Sequence, residues 1–222
     1  MDKFMKWAVW LFIITPVIYL AIVWNRLPEK IAVHFNIKGE VDRYGSANEL
    51  LLGVIAMTVM GAAAYLILAN IYRIDPKKYA AENKSRLQRM GFAISVLLAI
   101  IICVIINAAE NGNIKFGSRL IFIGVGLLFA FIGNYMHSIK PNYFAGIRLP
   151  WTLENEDNWK KTHLLAGKLF FAGGLLIAAI ALVFPPMVTL IAVFSITFII
   201  TVIPCVYSYR LYKKQKSLNN VN

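Results

Sequence analysis

The residues best suited to chemistry in this sequence lie together between positions 142 and 163. This stretch holds three acids, two tryptophans, an arginine and a histidine. Glu156, Asp157 and His163 are the side-chain types of an acid/base set or a metal site, but each of these two acids has a lysine four residues later, the favourable order for a helical ion pair. The sequence lacks an HExxH pair, a Gly-rich phosphate loop and a Ser or Cys nucleophile beside a base. These observations predict a binding surface with no cofactor and no metal, rather than an enzyme.

Two prolines shape the first part of this stretch. Pro141 and Pro150 exclude the residues before them from helical backbone angles. Residues 140–151 are therefore predicted to be extended, with Gly146 free to turn. Thr152 or Asn155 can cap the helix that follows.

One face of that following helix carries a residue at every fourth position, namely Asn155, Trp159, His163 and Gly167. We expect this face to lie on the membrane or on Arg148. An arginine can bond two oxygens while its plane lies on an aromatic ring. We therefore expect the Arg148 guanidinium to be held by Asn134 or Asn142 and to stack near Trp151 or Trp159. The alternative is a purely structural loop whose tryptophans anchor it at the membrane interface.

A second group of polar residues lies in KIAVHFNIKGEVDRYGSAN, residues 30–48. Apolar residues at 31, 33, 35 and 37 alternate with other types, a period that predicts a half-buried strand. We predict a short β-like cap within residues 26–49, over the outer mouth of the bundle. Its candidate binding residues are His34, Phe35, Asn36, Gly39, Asp42 and Tyr44, with Gly39 at the turn. No second ligand lies at a useful spacing from His34, so a hydrogen-bonded or solvated histidine is favoured over a metal ligand.

Composition identifies the elements that must position these residues. Hydrophobic residues make up 59% of the 222, and the mean hydropathy is +0.64. A helix needs roughly 20 apolar residues to cross about 30 Å of hydrocarbon. Six windows fit, at residues 7–24, 50–72, 90–109, 120–136, 169–184 and 187–209. The first is too long for a secretory signal and lacks a cleavage site, so we predict an all-α integral membrane protein with six transmembrane helices.

The basic residues predict the orientation of these helices. Seventeen of the 23 lysines and arginines fall at the two termini and in the loops before spans three and five. Because cytoplasmic loops collect Lys and Arg, we predict that both termini and residues 137–168 are cytoplasmic and that the cap is external. The net charge of +12 then favours contact with anionic headgroups of the lipid bilayer and no direct nucleic-acid binding. The basic segment at 73–89 resembles an interfacial helix; a solvated loop against those headgroups is favoured over a specific docking site.

The predicted spans carry little polar chemistry. Cys103 and Cys205 fall inside spans, where a thiol behaves as a small apolar residue; no disulfide is predicted, although a pairing across spans three and six stays open. The span centres offer only hydroxyls, whereas a transporter usually keeps an ionisable residue near the midplane. This favours a binding protein over the alternative, a small membrane transporter or a lipid- or peptide-modifying membrane enzyme. Small residues at 126, 130, 133 and 173 leave room either for a hydrophobic peptide or for ordinary helix packing.

Residues 133–168, GNYMHSIKPNYFAGIRLPWTLENEDNWKKTHLLAGK, resemble the signature of the SdpI family of bacterial membrane immunity proteins. The matching residues are Gly133, Asn134, Asn142, Gly146, Arg148, Pro150, Trp151, Thr152, Trp159 and His163. Leu149 replaces the usual Thr, which removes a hydroxyl beside the guanidinium. Residues 27–45 resemble a small domain of unknown function found at the front of many relatives. We expect residues 1–72 to form the first two spans with the cap, and residues 73–222 to form a four-span SdpI-like region that contains the signature loop, residues 137–168.

This resemblance implies a multi-pass protein of the bacterial cytoplasmic membrane that protects the cell producing it. Its partner would be a secreted, membrane-active peptide toxin, which the protein binds or neutralises. For the type member it also implies sequestration of a cytoplasmic transcriptional repressor at the membrane. Both roles are binding roles, in agreement with the reading of the loop and the cap. We expect the cap to tune which peptide is recognised.

Overall fold

Long helices make up most of the protein. The computed structural model describes residues 3–36, 40–77 and 79–219. The helices within them are α1 (Lys3–Val23), α2 (Ala47–Asn70), α3 (Ala80–Asn111), α4 (Lys115–Met136), α5 (Pro150–Glu154), α6 (Glu156–Val183) and α7 (Pro186–Asn219). In these described residues, six helices are long and apolar enough to cross a membrane, which confirms the six predicted spans.

The spans run back and forth between two ends of the bundle. The end that carries the strands is called the cap end, and the end that carries residues 137–155 the loop end. At 1.5 Å per residue, α3 with its 32 residues and α6 with its 28 are about 48 and 42 Å long, more than the roughly 30 Å of a hydrocarbon core. Both helices therefore project beyond the hydrocarbon.

The start of α3 corrects one prediction. The resemblance of this basic segment to a helix is confirmed from Ala80 onward, where α3 begins, but the preference for a solvated loop was wrong. Leu87 and Met90 on this part of α3 are buried in a cluster with Ile139 and Trp159 of the signature loop. The basic residues around them were read as a sign of solvation, but the apolar residues at helical spacing determine where this segment packs.

The predicted cap is present as an antiparallel hairpin of β1 (Ile31–Phe35) and β2 (Val41–Gly45). Phe35 is half-buried, while His34 and Tyr44 are exposed. His34 Nδ1 lies 2.6 Å from Asp42 Oδ1 across the hairpin, so this histidine is a hydrogen-bonded surface residue.

Asn36 holds the return of the chain between the two strands. Its side-chain oxygen accepts from the Glu40 N–H at 3.0 Å, and its amide donates to Glu40 Oε2 at 2.9 Å. Gly39, predicted at the turn, lies outside the described residues.

The cap is fastened to the helices by both apolar and charged contacts. Ile31 is fully buried in a cluster that includes Leu20 of α1, Leu50 of α2 and Ile106 of α3. Arg43 Nη2 of β2 lies 2.6 Å from Glu49 Oε1 at the start of α2. Each strand is thus tied to a span, which fixes the hairpin against the bundle.

Glycines allow α4 and α6 to pack with their backbones in contact. A Cβ atom placed on Gly126 would lie only 2.6 Å from the Gly174 carbonyl oxygen, and one on Gly167 only 2.8 Å from the Gly133 oxygen. The small residues of span four therefore serve helix packing. Cys103 and Cys205 are both free thiols.

The orientation of the bundle is tested by cysteine labelling. In a background with Cys103→Ala and Cys205→Ala, Lys30→Cys at the cap end should react with a membrane-impermeant maleimide in intact cells. Lys160→Cys at the loop end should react only after permeabilisation, because the inside-positive bias predicts that this end is cytoplasmic. The reverse pattern, with Lys160→Cys labelled in intact cells, would overturn the predicted orientation.

Candidate functional site

The signature loop is organised first by Asn142, a fully buried residue. Its side-chain oxygen accepts from the N–H groups of Phe144 and Ala145 at 2.9 and 2.7 Å. Its amide donates to the carbonyls of Lys140 and Ala145 at 2.9 and 3.0 Å. An asparagine amide offers two donors and two acceptor sites, so Asn142 uses its full capacity to fold the backbone around itself.

Gly146 and His163 form the next part of the loop. Gly146 has φ +107°, in the region that favours glycine, and a Cβ atom there would overlap the His163 imidazole. The Ile147 N–H donates to His163 Nε2 at 3.0 Å, and the Nδ1 of His163 lies 2.8 Å from the Trp159 carbonyl oxygen. Because Nε2 accepts, the ring is neutral and carries its proton on Nδ1. Both nitrogens are engaged by backbone groups, so His163 anchors the loop.

The signature threonine, Thr152, closes the turn that leads into α5. It is fully buried, and its Oγ1 accepts from the Leu149 N–H at 2.9 Å and lies 2.8 Å from the carbonyl oxygen of Ile147. The prediction of an extended chain as far as residue 151 was wrong, because α5 begins at Pro150. A proline suits the first helical position, where its fixed φ is already helical and its missing N–H is not needed.

The two tryptophans of the signature face different parts of the protein. Trp159 is 1% exposed, donates from Nε1 to the Ile139 carbonyl at 2.7 Å and stacks on His163 at 3.9 Å between ring centroids. Trp151 donates to Ser208 Oγ of α7 at 2.7 Å and stacks on Tyr212 at 5.7 Å. The face of α6 that carries Trp159 and His163 therefore packs on the loop inside the protein. Neither tryptophan is a simple interface anchor.

A buried polar cluster connects α6 to α7 beneath Trp151. Ser208 Oγ donates to Asn158 Oδ1 at 2.9 Å, and Asn158 Nδ2 donates to the Ser208 carbonyl at 3.0 Å. Thr162 Oγ1 donates to the same Asn158 oxygen at 3.0 Å. All three residues are completely buried. Buried polar groups stabilise a fold when each is satisfied, and here the partners come from two helices.

The polar cluster of Asn158, Thr162 and Ser208 was missed in the sequence. The signal that could have found two of its members is the i,i+4 spacing of Asn158 and Thr162. Ser208, at the end of a hydrophobic span, had no such local signal. Asp157 and Lys161 do form the predicted pair, at 2.7 Å, and Asn155 caps α6 by accepting from the Asn158 N–H at 2.9 Å.

The start of α3 and the segment just before it clamp the loop from a third side. Asn83, which is buried, accepts from the Lys140 N–H at 2.9 Å and donates to the Lys140 carbonyl at 3.1 Å. Arg86 Nε donates to Ser138 Oγ at 2.9 Å, and Lys77 Nζ donates to the Leu153 carbonyl at 3.0 Å. These contacts were not predicted, because they join segments far apart in the chain.

Arg148 does not have the predicted environment. It is exposed, and its Nη1 donates to the Tyr143 carbonyl at 2.6 Å. Within the described part of the chain it bonds neither Asn134 nor Asn142 and stacks on neither tryptophan. Asn142 is occupied by backbone groups, and Asn134 is exposed on α4. The signature residues thus divide into a buried or half-buried set that holds the loop and three exposed residues, Asn134, Arg148 and Pro150.

The second candidate site is a lateral groove of about 510 Å³ between α1, α3 and α4 in the cap half of the protein. Residues from all three helices line it, including Phe12, Thr15, Ile100, Cys103, Asn107 and Leu120. Phe12, Ile100 and Leu120 are 41, 40 and 37% exposed. The lining is mostly apolar and belongs to membrane-spanning helices, so the groove is open to the bilayer.

A smaller cavity of about 290 Å³ lies beneath the cap, lined by Val33, Leu50, Met57 and Ile102 among others. The Arg43–Glu49 ion pair also borders it. As for metal sites, the residues that the structure describes contain no group of three or more His, Cys, Asp or Glu side chains that could hold an ion.

Known proteins resemble both parts of this chain. Residues 138–208 match the SdpI/YfhL protein family, and residues 11–59 match a domain of unknown function, DUF1648. Immunity protein SdpI of Bacillus subtilis (strain 168) is 30% identical over 139 residues, which cover 62% of this chain and 65% of the relative. No solved structure matches the chain. The resemblance to the SdpI family is confirmed, and with the six spans it identifies a multi-pass bacterial membrane protein.

The free energy of unfolding distinguishes the role of Asn142 from that of Arg148. Asn142→Ala should destabilise the protein strongly, because each backbone group left buried without a partner costs about 1–3 kcal/mol. Arg148→Ala, an exposed change, should stay within about 0.5 kcal/mol of wild type. Thermal unfolding of the purified protein in detergent, followed by tryptophan fluorescence, gives both values. Equal loss for the two variants would contradict the assignment of Asn142 as the organiser of the loop.

Gly146→Ala tests the contact with His163. Backbone strain of this kind costs of order 1–3 kcal/mol, and the added methyl also displaces the imidazole. Gly112→Ala is the matched control, because Gly112 also has positive φ, at +65°, but has open space where the Cβ would lie. The same unfolding assay should show a clearly larger loss at Gly146.

The double variant Gly146→Ala/His163→Ala isolates the part of the stability loss that comes from the clash between the added methyl group and the imidazole. Since removing the ring removes the clash, the double variant should lose less unfolding free energy than the sum of the losses in Gly146→Ala and His163→Ala. Additive losses would mean that the two residues do not compete for the same space.

Proposed function

From the SdpI/YfhL region at residues 138–208, we propose that this protein is a membrane immunity protein that binds or neutralises a secreted, membrane-active peptide. The chain aligns with 65% of the length of Immunity protein SdpI, a relative whose name states the same role. The buried residues of the signature loop support a binding role, since the side chains that could do acid/base chemistry there are engaged in structure. His163 in particular is held at both nitrogens.

The observation that carries the proposal is the lateral groove. A peptide that enters the membrane from the cap side would meet an apolar trough of about 510 Å³ without crossing the bundle. Asn107 and Asn113 line it toward its cap end, and Asn107 Nδ2 donates to the Tyr19 hydroxyl at 3.3 Å. An apolar trough with a polar end suits a peptide helix, whose terminal backbone groups need partners.

We infer that the cap selects among peptides. Its exposed residues His34, Asp42 and Tyr44 lie at the same end as the mouth of the groove. The hairpin is fixed to α2 and α3, so its outer surface presents a constant set of side chains. In this proposal the cap sorts peptides and the groove holds the one admitted.

A cytoplasmic repressor is the second partner that the resemblance implies, and the proposal places it at the loop end. A polar cavity of about 490 Å³ lies there, lined by Arg86, Lys140, Glu156 and Lys160 among others. A fluorescent fusion of a candidate repressor should move to the membrane only in cells that contain both this protein and the peptide. A fusion that stays in the cytoplasm under those conditions would contradict this part of the proposal.

Filling the groove tests the proposed function. Ile100→Trp should abolish the survival of a sensitive host under peptide challenge, because the larger ring occupies the trough. Ile199→Trp on α7 is the matched control, since Ile199 is also an exposed isoleucine, at 50%, on a membrane span outside the groove. Survival is compared at equal amounts of protein in the membrane.

Three outcomes separate the parts of the proposal. Protection by wild type and Ile199→Trp but not by Ile100→Trp supports the groove. Protection by all three would exclude the groove as the binding site of the peptide but would still be consistent with the immunity function. No protection by wild type against any candidate peptide would contradict the function itself.

Exchanging residues 30–44 for a relative's hairpin should change which peptide is resisted. Unchanged resistance would mean that the spans, and not the cap, select the peptide.

A further inference from the structure

The exposed signature residue Asn134 borders a crevice that the proposed function does not use. This crevice, of about 320 Å³, lies between α4 and α6 near the loop end and is lined by Gly133, Asn134, His137, Leu164, Lys168 and Phe171. Gly133 contributes no side chain, so the crevice reaches the contact between the two helix backbones. We propose that it binds one anionic phospholipid, and this inference does not depend on the immunity function.

One side of the crevice is suited to a phosphate. Lys168 supplies a positive charge, and His137 and Asn134 supply N–H donors. All three side chains are exposed, and within the described part of the chain none of them bonds to another protein group. The described lining contains no carboxylate to compete with an anion. Three polar groups without internal partners thus converge on one opening.

The other side of the crevice is suited to an acyl chain. Leu164 and Phe171 lie on the outer surface of α6 and are 47 and 45% exposed. Phe171 lies about one turn from Lys168 toward the middle of the span, so an amphiphile can place its head on the lysine and its tail on the phenylalanine, while Leu164 lies on the headgroup side of the lysine. Inorganic phosphate would use only the polar half of this lining.

The depth of the crevice agrees with a lipid. About 20 residues of α6 span the hydrocarbon core, and counted back from Val183, where the helix ends, they reach Leu164. Lys168 therefore lies near the boundary between hydrocarbon and headgroups, where a lysine stem lies on apolar surface and its ammonium reaches the headgroup layer. A bilayer lipid occupies this depth, whereas a soluble partner would have to enter the hydrocarbon edge.

Native mass spectrometry of the purified full-length protein tests the inference. With phosphatidylglycerol and phosphatidylcholine supplied in equal amounts, the wild type should retain phosphatidylglycerol preferentially. Lys168→Ala should weaken that retention about fivefold, the effect of one basic residue near an anionic surface, and His137→Ala/Lys168→Ala should remove the preference. Lys160→Ala, which removes an exposed lysine from the same helix outside the crevice, should behave as wild type.

The controls separate the sources of any effect. Unchanged thermal unfolding of Lys168→Ala, or the same result with Lys168→Gln, shows that the fold is intact. An equal loss with Lys160→Ala would overturn the proposal, because retention would then follow total charge. Displacement of phosphatidylglycerol by excess inorganic phosphate would also overturn it, because the crevice would then be a site for the free anion.

Discussion

The hydrogen bond from the Ile147 amide to His163 Nε2, 3.0 Å long, is the contact on which the loop end depends. It requires a neutral imidazole whose other nitrogen is turned toward the Trp159 carbonyl, and it requires a glycine at position 146 so that the backbone can approach the ring. The ring in turn stacks on Trp159. Water has little access to this buried site, so each of these donors needs its protein partner. Three signature residues are thus explained by one packing arrangement.

From this contact the remaining contacts of the loop extend to other helices. Asn142 folds the backbone before Gly146, Thr152 closes the turn after it, and Trp151 carries the connection to Ser208 of α7. The result is a rigid structure built from α3, α6, α7 and the loop. The cap half differs from it in the lining of its largest opening, because the groove there is mostly apolar, whereas the cavity of about 490 Å³ at the loop end is polar. In the proposed function, the cap half receives the peptide and the loop end presents a fixed surface at the other end of the bundle.

Hydropathy and short periods were sufficient to predict the six spans, the hairpin, the Asn155 cap and the Asp157–Lys161 pair, because each depends on residues close in sequence. The environment of Arg148 could not be predicted in this way. An arginine suggested a guanidinium held by Asn134 or Asn142. Asn142 already bonds four backbone groups, however, and only the folded loop brings these groups together. Asn83 and Ser208 were missed for a related reason. Their partners lie 57 and 50 residues away in the chain, and no local pattern marks such pairs.

Hydrogen–deuterium exchange of the protein in a lipid nanodisc tests most directly whether the signature loop is a rigid, internally bonded structure. The amides of Ala145, Ile147 and Leu149 donate to buried side chains, so they should exchange as slowly as the amides in the middle of α6. Exchange as fast as that of a solvated connector at these three amides would contradict the account. The loop would then be a flexible linker between spans, and its signature residues would need another explanation.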